Sequence, residues 1–171
     1  NTAAGEILSP TTAAFALATI GLNVHFGYSG LLNFGQAGFM AIGAYAFAIF
    51  TMMVDPTATL GWPAWLSFTV AVLVAIVAAV IFALILGIPT LRLRADYLSI
   101  VTIAAAEVVR YIVTTNKLTD LTGSAGGLNG FAGGFYALNP FPEGTYNLGF
   151  ITLSARDLWV RVVAWSVVAV F

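Results

Sequence analysis

Residues 64–87 run for 24 positions without a charged side chain. About 20 mostly apolar residues carry an α-helix across a bilayer, so this run makes hydrocarbon, not water, the solvent of the fold. Residues 37–54 form a second uncharged run. Residues 97–115 form a third, interrupted only by Glu107 and Arg110, and residues 11–26 a slightly short fourth that holds Asn23 and His25. Residues 158–171 begin a fifth, which at 1.5 Å per residue reaches about 21 Å into a hydrocarbon core of roughly 30 Å. The expected fold class is therefore an all-α polytopic membrane protein with about five transmembrane spans visible. Residues 1–171 read as a single transmembrane domain. Because Asn1 is not an initiator methionine and the fifth run stops short, we expect this domain to be a fragment of a longer chain.

Composition excludes several classes of function. Only 8% of residues are charged and 60% are hydrophobic, against about a quarter charged in a soluble domain. The net charge of -1 leaves no basic footprint for nucleic acid. With no cysteine and one histidine, His25, the chain has no disulfide frame, no thiolate metal site and no site needing two histidines. No close carboxylate pair, His-x-x-x-His or Gly-x-Ser-x-Gly occurs, so no catalytic or metal-binding residue is assigned. The residues offer polar groups spread along helices, which suits passage of a solute.

Charge sets the expected topology. The connector 88–96 carries Arg92 and Arg94 and ends on Asp96, whereas 55–63 has no Lys or Arg and 116–157 dilutes Lys117 and Arg156 with three acidic residues. The positive-inside rule puts Arg92, Arg94 and Asp96 at the cytoplasmic face, with 55–63 and 116–157 outside. Trp62, Trp65 and Trp159 then fall near the outer ends. The joint at 27–36 has three glycines and no charge. It reads either as a surface turn or as broken backbone at membrane depth, which is tolerated where protein buries it or a wet cavity lines it. The candidates for a substrate pathway are Asn23, Ser29, Gly30, Asn33 and Gln36. The glycine-rich stretch 121–134 lacks the Lys-Ser/Thr of a phosphate-binding loop and reads as tight turns at positive φ in an external loop. Residues 145–153 read as a short extended piece.

Glu107 and Arg110 stand three apart on one helix, about 15 and 20 Å into the slab. With Ser99, Thr102, Ala106 and Thr114 they fall within an arc of about 140°, which must face protein or water. That arc reads as a pathway lining or as an intramembrane ion pair that fixes helix packing. Asn23 shares a stripe with Thr12, Ala16 and Thr19, and suits either solute or a neighbouring helix. Ala37, Ala41, Ala44 and Ala48 form a small-residue packing stripe. Asp157 and Arg161, at i and i+4, read as an ion pair.

Three blocks carry a family resemblance. Residues 21–45, from Gly21-Leu22-Asn23 through Gly35-Gln36-Ala37-Gly38 to Tyr45, resemble the first signature of bacterial branched-chain amino acid ABC transporter permeases. Leu91-Arg92-Leu93-Arg94-Ala95-Asp96-Tyr97, followed by Glu107-Val108-Val109-Arg110, is similar to the second, of the LivM-type subunit. Leu121 to Gly130 is similar to the glycine-rich external loop that follows. Ala95 stands where the family usually has Gly, and Ser29 and Asn33 are positions that vary between subfamilies. The resemblance implies a multi-pass permease domain of the bacterial inner membrane. It also implies a second permease subunit, two ATPase subunits that bind ATP and Mg, and an external solute-binding protein. No cofactor is expected in this chain, and the amino-acid solute would move by alternating access. Urea and short amides are handled by close relatives. The family's cytoplasmic coupling segment lies beyond the helix that begins near Leu158. The alternative is a proton-coupled secondary transporter of a small polar solute, with Glu107 or His25 as the proton carrier; a third is a structural membrane subunit.

Overall fold

In a computed structural model the described residues are 2–30, 33–54, 56–90, 95–147, 149 and 151–171. Three helical stretches, Gln36–Thr59, Ala64–Thr90 and Tyr97–Thr114, are long and apolar enough to cross a membrane, making this a multi-pass, mainly helical membrane protein. The run at 11–26 lies in a 20-residue helix, Pro10–Ser29, which is not among those three, and the last helix, Ala155–Val170, has 16 residues. The chain divides into two compact units, residues 29–137 and residues 1–28 with 138–171.

Helices α1 (Thr2–Ile7) and α2 (Pro10–Ser29) open the chain, followed by α3 (Gln36–Ile49), a π-helical turn (Phe50–Val54), α4 (Pro56–Thr59), α5 (Ala64–Thr90) and α6 (Ala95–Thr114). In the 29–137 unit α3 packs chiefly on α5 and next on α6. Most buried positions of these helices are small: Gly38 and Ala48 on α3, Ser67 and Ala71 on α5, Thr102 on α6, with Val109 of α6 the larger exception. Large side chains point outward, including Ile76, Val80, Ile81, Leu84 and Ile85 on α5. In lipid no hydrophobic force drives helix association, so small residues that let backbones approach do the packing and bulky ones meet the acyl chains. A Cβ built at Gly38 lies 3.1 Å from Ala106 Cα and 3.4 Å from its Cβ, so this glycine sets the spacing of α3 and α6. Of the alanine stripe, Ala48 is buried, while Ala37 and Ala41 line a groove; the tightest approach belongs to Gly38 instead. Phe39 meets Phe82 edge to face, with centroids 5.1 Å apart.

Helix α5 runs three residues past the expected end of its apolar run, through Pro89. The Thr90 hydroxyl donates to the carbonyls of Leu86 (2.6 Å) and Gly87 (3.1 Å), local partners for a helix end weakened by a residue without an N–H. After α6 come a 3₁₀ turn (Asn116–Leu118), α7 (Thr119–Thr122), a second 3₁₀ turn (Ser124–Gly126) and α8 (Gly133–Ala137). Gly123, Gly127 and Gly130 all have positive φ, the conformation glycine tolerates best. A side chain at Gly123 would collide with the carbonyl of Gly127. Ser124 Oγ bonds the Thr114 carbonyl and Asn116 Oδ1, both at 2.9 Å, which ties the glycine-rich stretch to the end of α6.

In the other unit Ser9 caps α2, its hydroxyl accepting from Thr12 N at 3.2 Å. Strands β1 (Thr145–Asn147) and β2 (Thr152–Ser154) pair antiparallel with Tyr146 opposite Leu153, and α9 (Ala155–Val170) follows. Ser154 caps α9 by accepting from Asp157 N at 3.1 Å. The expected Asp157–Arg161 ion pair does not form. Asp157 Oδ2 lies 2.7 Å from the Ser154 hydroxyl, and Arg161 Nη1 donates to the Gly5 carbonyl at 2.7 Å. With Trp165 Nε1 donating to the Leu8 carbonyl at 3.2 Å, Arg161 joins α9 to the end of α1. Both donors supply partners to carbonyls that a helix end leaves unpaired.

Gly38 and Gly43 lie on the same helix, but a Cβ at Gly43 meets nothing within 4 Å. Gly38→Leu is therefore expected to destabilise the full-length protein by about 1–3 kcal/mol, the usual range for overpacking, and Gly43→Leu to leave it nearly unchanged. Thermal unfolding in detergent compares the two, and equal effects would remove Gly38 as the spacing residue.

Candidate functional site

The joint between α2 and α3 begins where Ser29 ends α2 and Gly30 turns to φ +64°. Leu31 and Leu32 lie outside the described residues. Asn33 Oδ1 accepts from Gly35 N at 2.8 Å, an Asx turn of the kind Asn favours, and Gln36 opens α3. Phe34 N donates to Thr102 Oγ1 at 3.2 Å, while that hydroxyl donates to the Ser99 carbonyl at 3.0 Å. A hydroxyl is both donor and acceptor, so one buried threonine of α6 receives an amide that the helix break has freed. Thr102 is 3% exposed. A Cβ at the buried Gly35 lies 3.0 Å from Asn33 Oδ1 and 3.3 Å from Thr102 Cβ, so the joint sits directly on α6.

The polar arc of α6 divides along its length. Thr102 faces the joint and Ala106 faces Gly38. One turn further, Arg110 Nε donates to Glu107 Oε2 at 2.9 Å and Arg110 Nη2 to Oε1 at 2.5 Å. Parallel N–H···O bonds of this kind fix both side chains. The two form a salt bridge whose side chains are 65% (Arg110) and 61% (Glu107) exposed. Thr114 Oγ1 donates to the Arg110 carbonyl at 2.9 Å. A groove of about 270 Å³ runs beside the pair, bounded by Phe34 of the joint, Ala37 and Ala41 of α3, and Ile103, Ala106, Glu107, Arg110 and Val113 of α6. The structure thus brings the joint, the alanine stripe and the ion pair to one apolar groove with one fixed dipole at its edge.

Other expected site residues fall elsewhere. Arg92 and Arg94 lie outside the described residues, and Asp96 is in the first turn of α6. Asn23 belongs to α2 in the 1–28 part of the other unit, as does His25. A further cavity, of about 300 Å³, had no counterpart in the sequence reading. It lies at the opposite end of α3, against the π-helical turn, the start of α5 and α8, and four phenylalanines line it: Phe47, Phe68, Phe131 and Phe135. Those rings come from three separate parts of the chain without a local pattern, so no sequence signal marks them.

The family described as branched-chain amino acid transport system / permease component matches residues 7–171. Among curated proteins, the chain is similar to the high-affinity branched-chain amino acid transport system permease protein LivM of Escherichia coli (strain K12). The identity is 39% over 122 residues, covering 71% of this chain and 26% of the relative. The protein of the same name from Salmonella typhimurium (strain LT2) matches with the same identity and coverage. The chain thus spans about a quarter of the length of the curated relatives it matches. No solved structure matches it. A match reaching from the end of α1 to the last residue, across the joint, the α6 polar arc and the glycine-rich stretch, shows that the chain belongs to the family of branched-chain amino acid transport permease components.

Proposed function

We propose that this chain is the membrane-embedded core of one permease subunit in an ATP-driven importer of branched-chain or related amino acids. The observation that carries the reading is the family match over 7–171, supported by two relatives named as branched-chain amino acid permease proteins. The assembly comprises a second permease subunit, two ATPase subunits that bind ATP and Mg, and an external solute-binding protein, in a bacterial inner membrane. The proton-coupled alternative is not favoured by the family. Within the assembly, residues 1–171 form a single permease domain of about five spans, α2 and α9 being the two spans besides the three long apolar stretches.

The solute path runs along the joint, with Ser29, Gly30, Asn33 and Gln36 at its wall; Asn23, on α2, is a separate candidate for contact with solute. The interrupted helix supports this: in a membrane, backbone groups freed by a break need partners, and a zwitterionic solute or water can be one. Thr102 takes one such amide, and the adjoining groove gives an apolar surface for a branched side chain. The full-length complex in proteoliposomes should accumulate leucine with internal ATP and not with a proton gradient alone. Gly30→Leu, which forces a bulky residue to φ +64°, and Gln36→Ala should each lower uptake at least several-fold while the subunits still co-purify. Accumulation on a proton gradient without ATP would overturn the importer, and normal uptake by both variants would move the path away from the joint.

Arg92, Arg94 and Asp96 face the cytoplasm and the glycine-rich stretch 123–134 faces outside, on the density of positive residues in the connectors. In a cysteine-free background, Arg94→Cys should resist an impermeant thiol reagent in intact cells and react in inverted vesicles. Labelling of intact cells at that position would reverse the topology.

Glu107 and Arg110 serve assembly with the second subunit more than contact with solute, because each engages the other while both remain open to whatever covers α6. Glu107→Gln and Arg110→Gln should each reduce the yield of assembled complex, and the double variant should recover part of it, since removing one partner alone strands a charge. Additive losses in that double-mutant cycle would separate the two residues.

A further inference from the structure

The cavity at the far end of α3 stands about 22 Å along the helix from the joint, taking 15 residues from Gln36 to Thr51 at 1.5 Å each. Its apolar side is an aromatic cluster. Phe47 meets Phe68 and Phe131 edge to face, at 5.8 and 6.2 Å between centroids, and Phe68 meets Phe135 at 5.6 Å. Its polar side holds the Thr51 and Ser67 hydroxyls and glycine backbone. Ser67 is 5% exposed. Thr51 donates its proton to the Phe47 and Ala48 carbonyls, both at 3.0 Å, so its oxygen still has an acceptor site to offer. The lip is the π-helical turn, a wider helical geometry frequent at functional positions. Among the described residues lining the cavity, none carries a charge.

We propose that this cavity is a second solute site, one that binds a small net-neutral molecule with its apolar branched group against the four rings and its polar end at the hydroxyl rim. Size and charge both point that way. A volume of about 300 Å³ is at the small end of ligand pockets and equals the liquid volume of about ten waters, which suits a molecule of about ten non-hydrogen atoms. A lining without charge offers no counter-ion to a solute of net charge, whose desolvation would go uncompensated. Gly134 lines the cavity, and a Cβ built there meets nothing within 4 Å, so the space beside it is open to be filled. The choice of leucine as the probe rests on the importer reading above; the site itself rests on the cavity.

The test uses the full-length permease in its assembled complex, on a cysteine-free background. Gly134→Cys is modified with a small thiol reagent in the presence of leucine, glycine or lysine. Leucine should slow the reaction at least fivefold, whereas glycine, without the branched group, and lysine, with its net charge, should not. Gly134→Leu, which adds a bulky side chain at the cavity wall, should raise KM for leucine uptake at least tenfold in complex that still co-purifies. An unchanged modification rate with leucine overturns the site, as does the same slow rate in lipid with and without leucine. A wild-type KM in Gly134→Leu also overturns it. Should Gly134→Leu fail to assemble, the labelling result decides alone. Leucine uptake by the wild-type complex is measured in parallel. Uptake without protection removes the cavity and leaves the importer standing, while protection without uptake removes the importer and leaves the cavity.

Discussion

A solvent of hydrocarbon gives bulky apolar side chains no reason to turn inward, and the packing of the 29–137 unit follows from that. Ile76, Val80, Ile81, Leu84 and Ile85 of α5 lie on its outside, and the inside is left mostly to Gly38, Ala48, Ser67, Ala71 and Thr102, with Val109 beside them. Dispersion falls off steeply with distance, so backbones must come close before such contacts hold. At Gly38 there is no room for a Cβ without pressing on Ala106. Both residues lie within a few positions of the functional candidates, Gln36 on one helix and Glu107 on the other. The distance between α3 and α6 that shapes the groove is therefore set by the absence of one methyl group.

The second demand of the same solvent is that every freed backbone group find a partner. The structure meets it with side chains from neighbouring elements. Thr102 serves the joint, Ser124 serves the end of α6, and Arg161 and Trp165 serve the end of α1 and the turn after it. Arg161 is the informative case. Its i,i+4 spacing from Asp157 suggests an ion pair, yet an unpaired carbonyl at a helix end competes for the guanidinium, and the Ser154 hydroxyl engages the carboxylate. A surface ion pair contributes little, so the arrangement that satisfies the carbonyl prevails.

Sequence reading succeeded where one chemical period dominates. The uncharged runs at 37–54 and 64–87 and the run at 97–115, broken only by Glu107 and Arg110, became the three long apolar stretches, and Gly123, Gly127 and Gly130 took the positive φ expected of tight turns. It also grouped Thr102, Ala106, Glu107 and Arg110 on one face. It did not separate their tasks, because that depends on what α3 places opposite each turn. The alanine stripe shows the same limit: four alanines at helical spacing outweighed Gly38 by number, whereas contact depends on which position the crossing point reaches. The phenylalanine cavity lay beyond reach for a plainer reason. Phe47, Phe68, Phe131 and Phe135 meet only through tertiary packing, and in a chain this apolar a phenylalanine is unremarkable at any single position.

The Glu107–Arg110 pair shows what a single chain of this kind leaves unfinished. Its hydrogen bonds are internal to one helix turn, so each charge has its counter-charge. Both side chains are nonetheless more than half exposed, and acyl chains offer nothing to their remaining donor and acceptor positions. Something polar or protein must stand on that side of α6. The groove beside the pair is walled by Phe34, Ala37, Ile103 and Val113, a surface that gains little from water and more from an apolar group. An apolar group with polar ends meets both the wall and the pair, whereas water meets only the second. The lining of the groove, more than the charges themselves, thus decides what α6 can accept on that side.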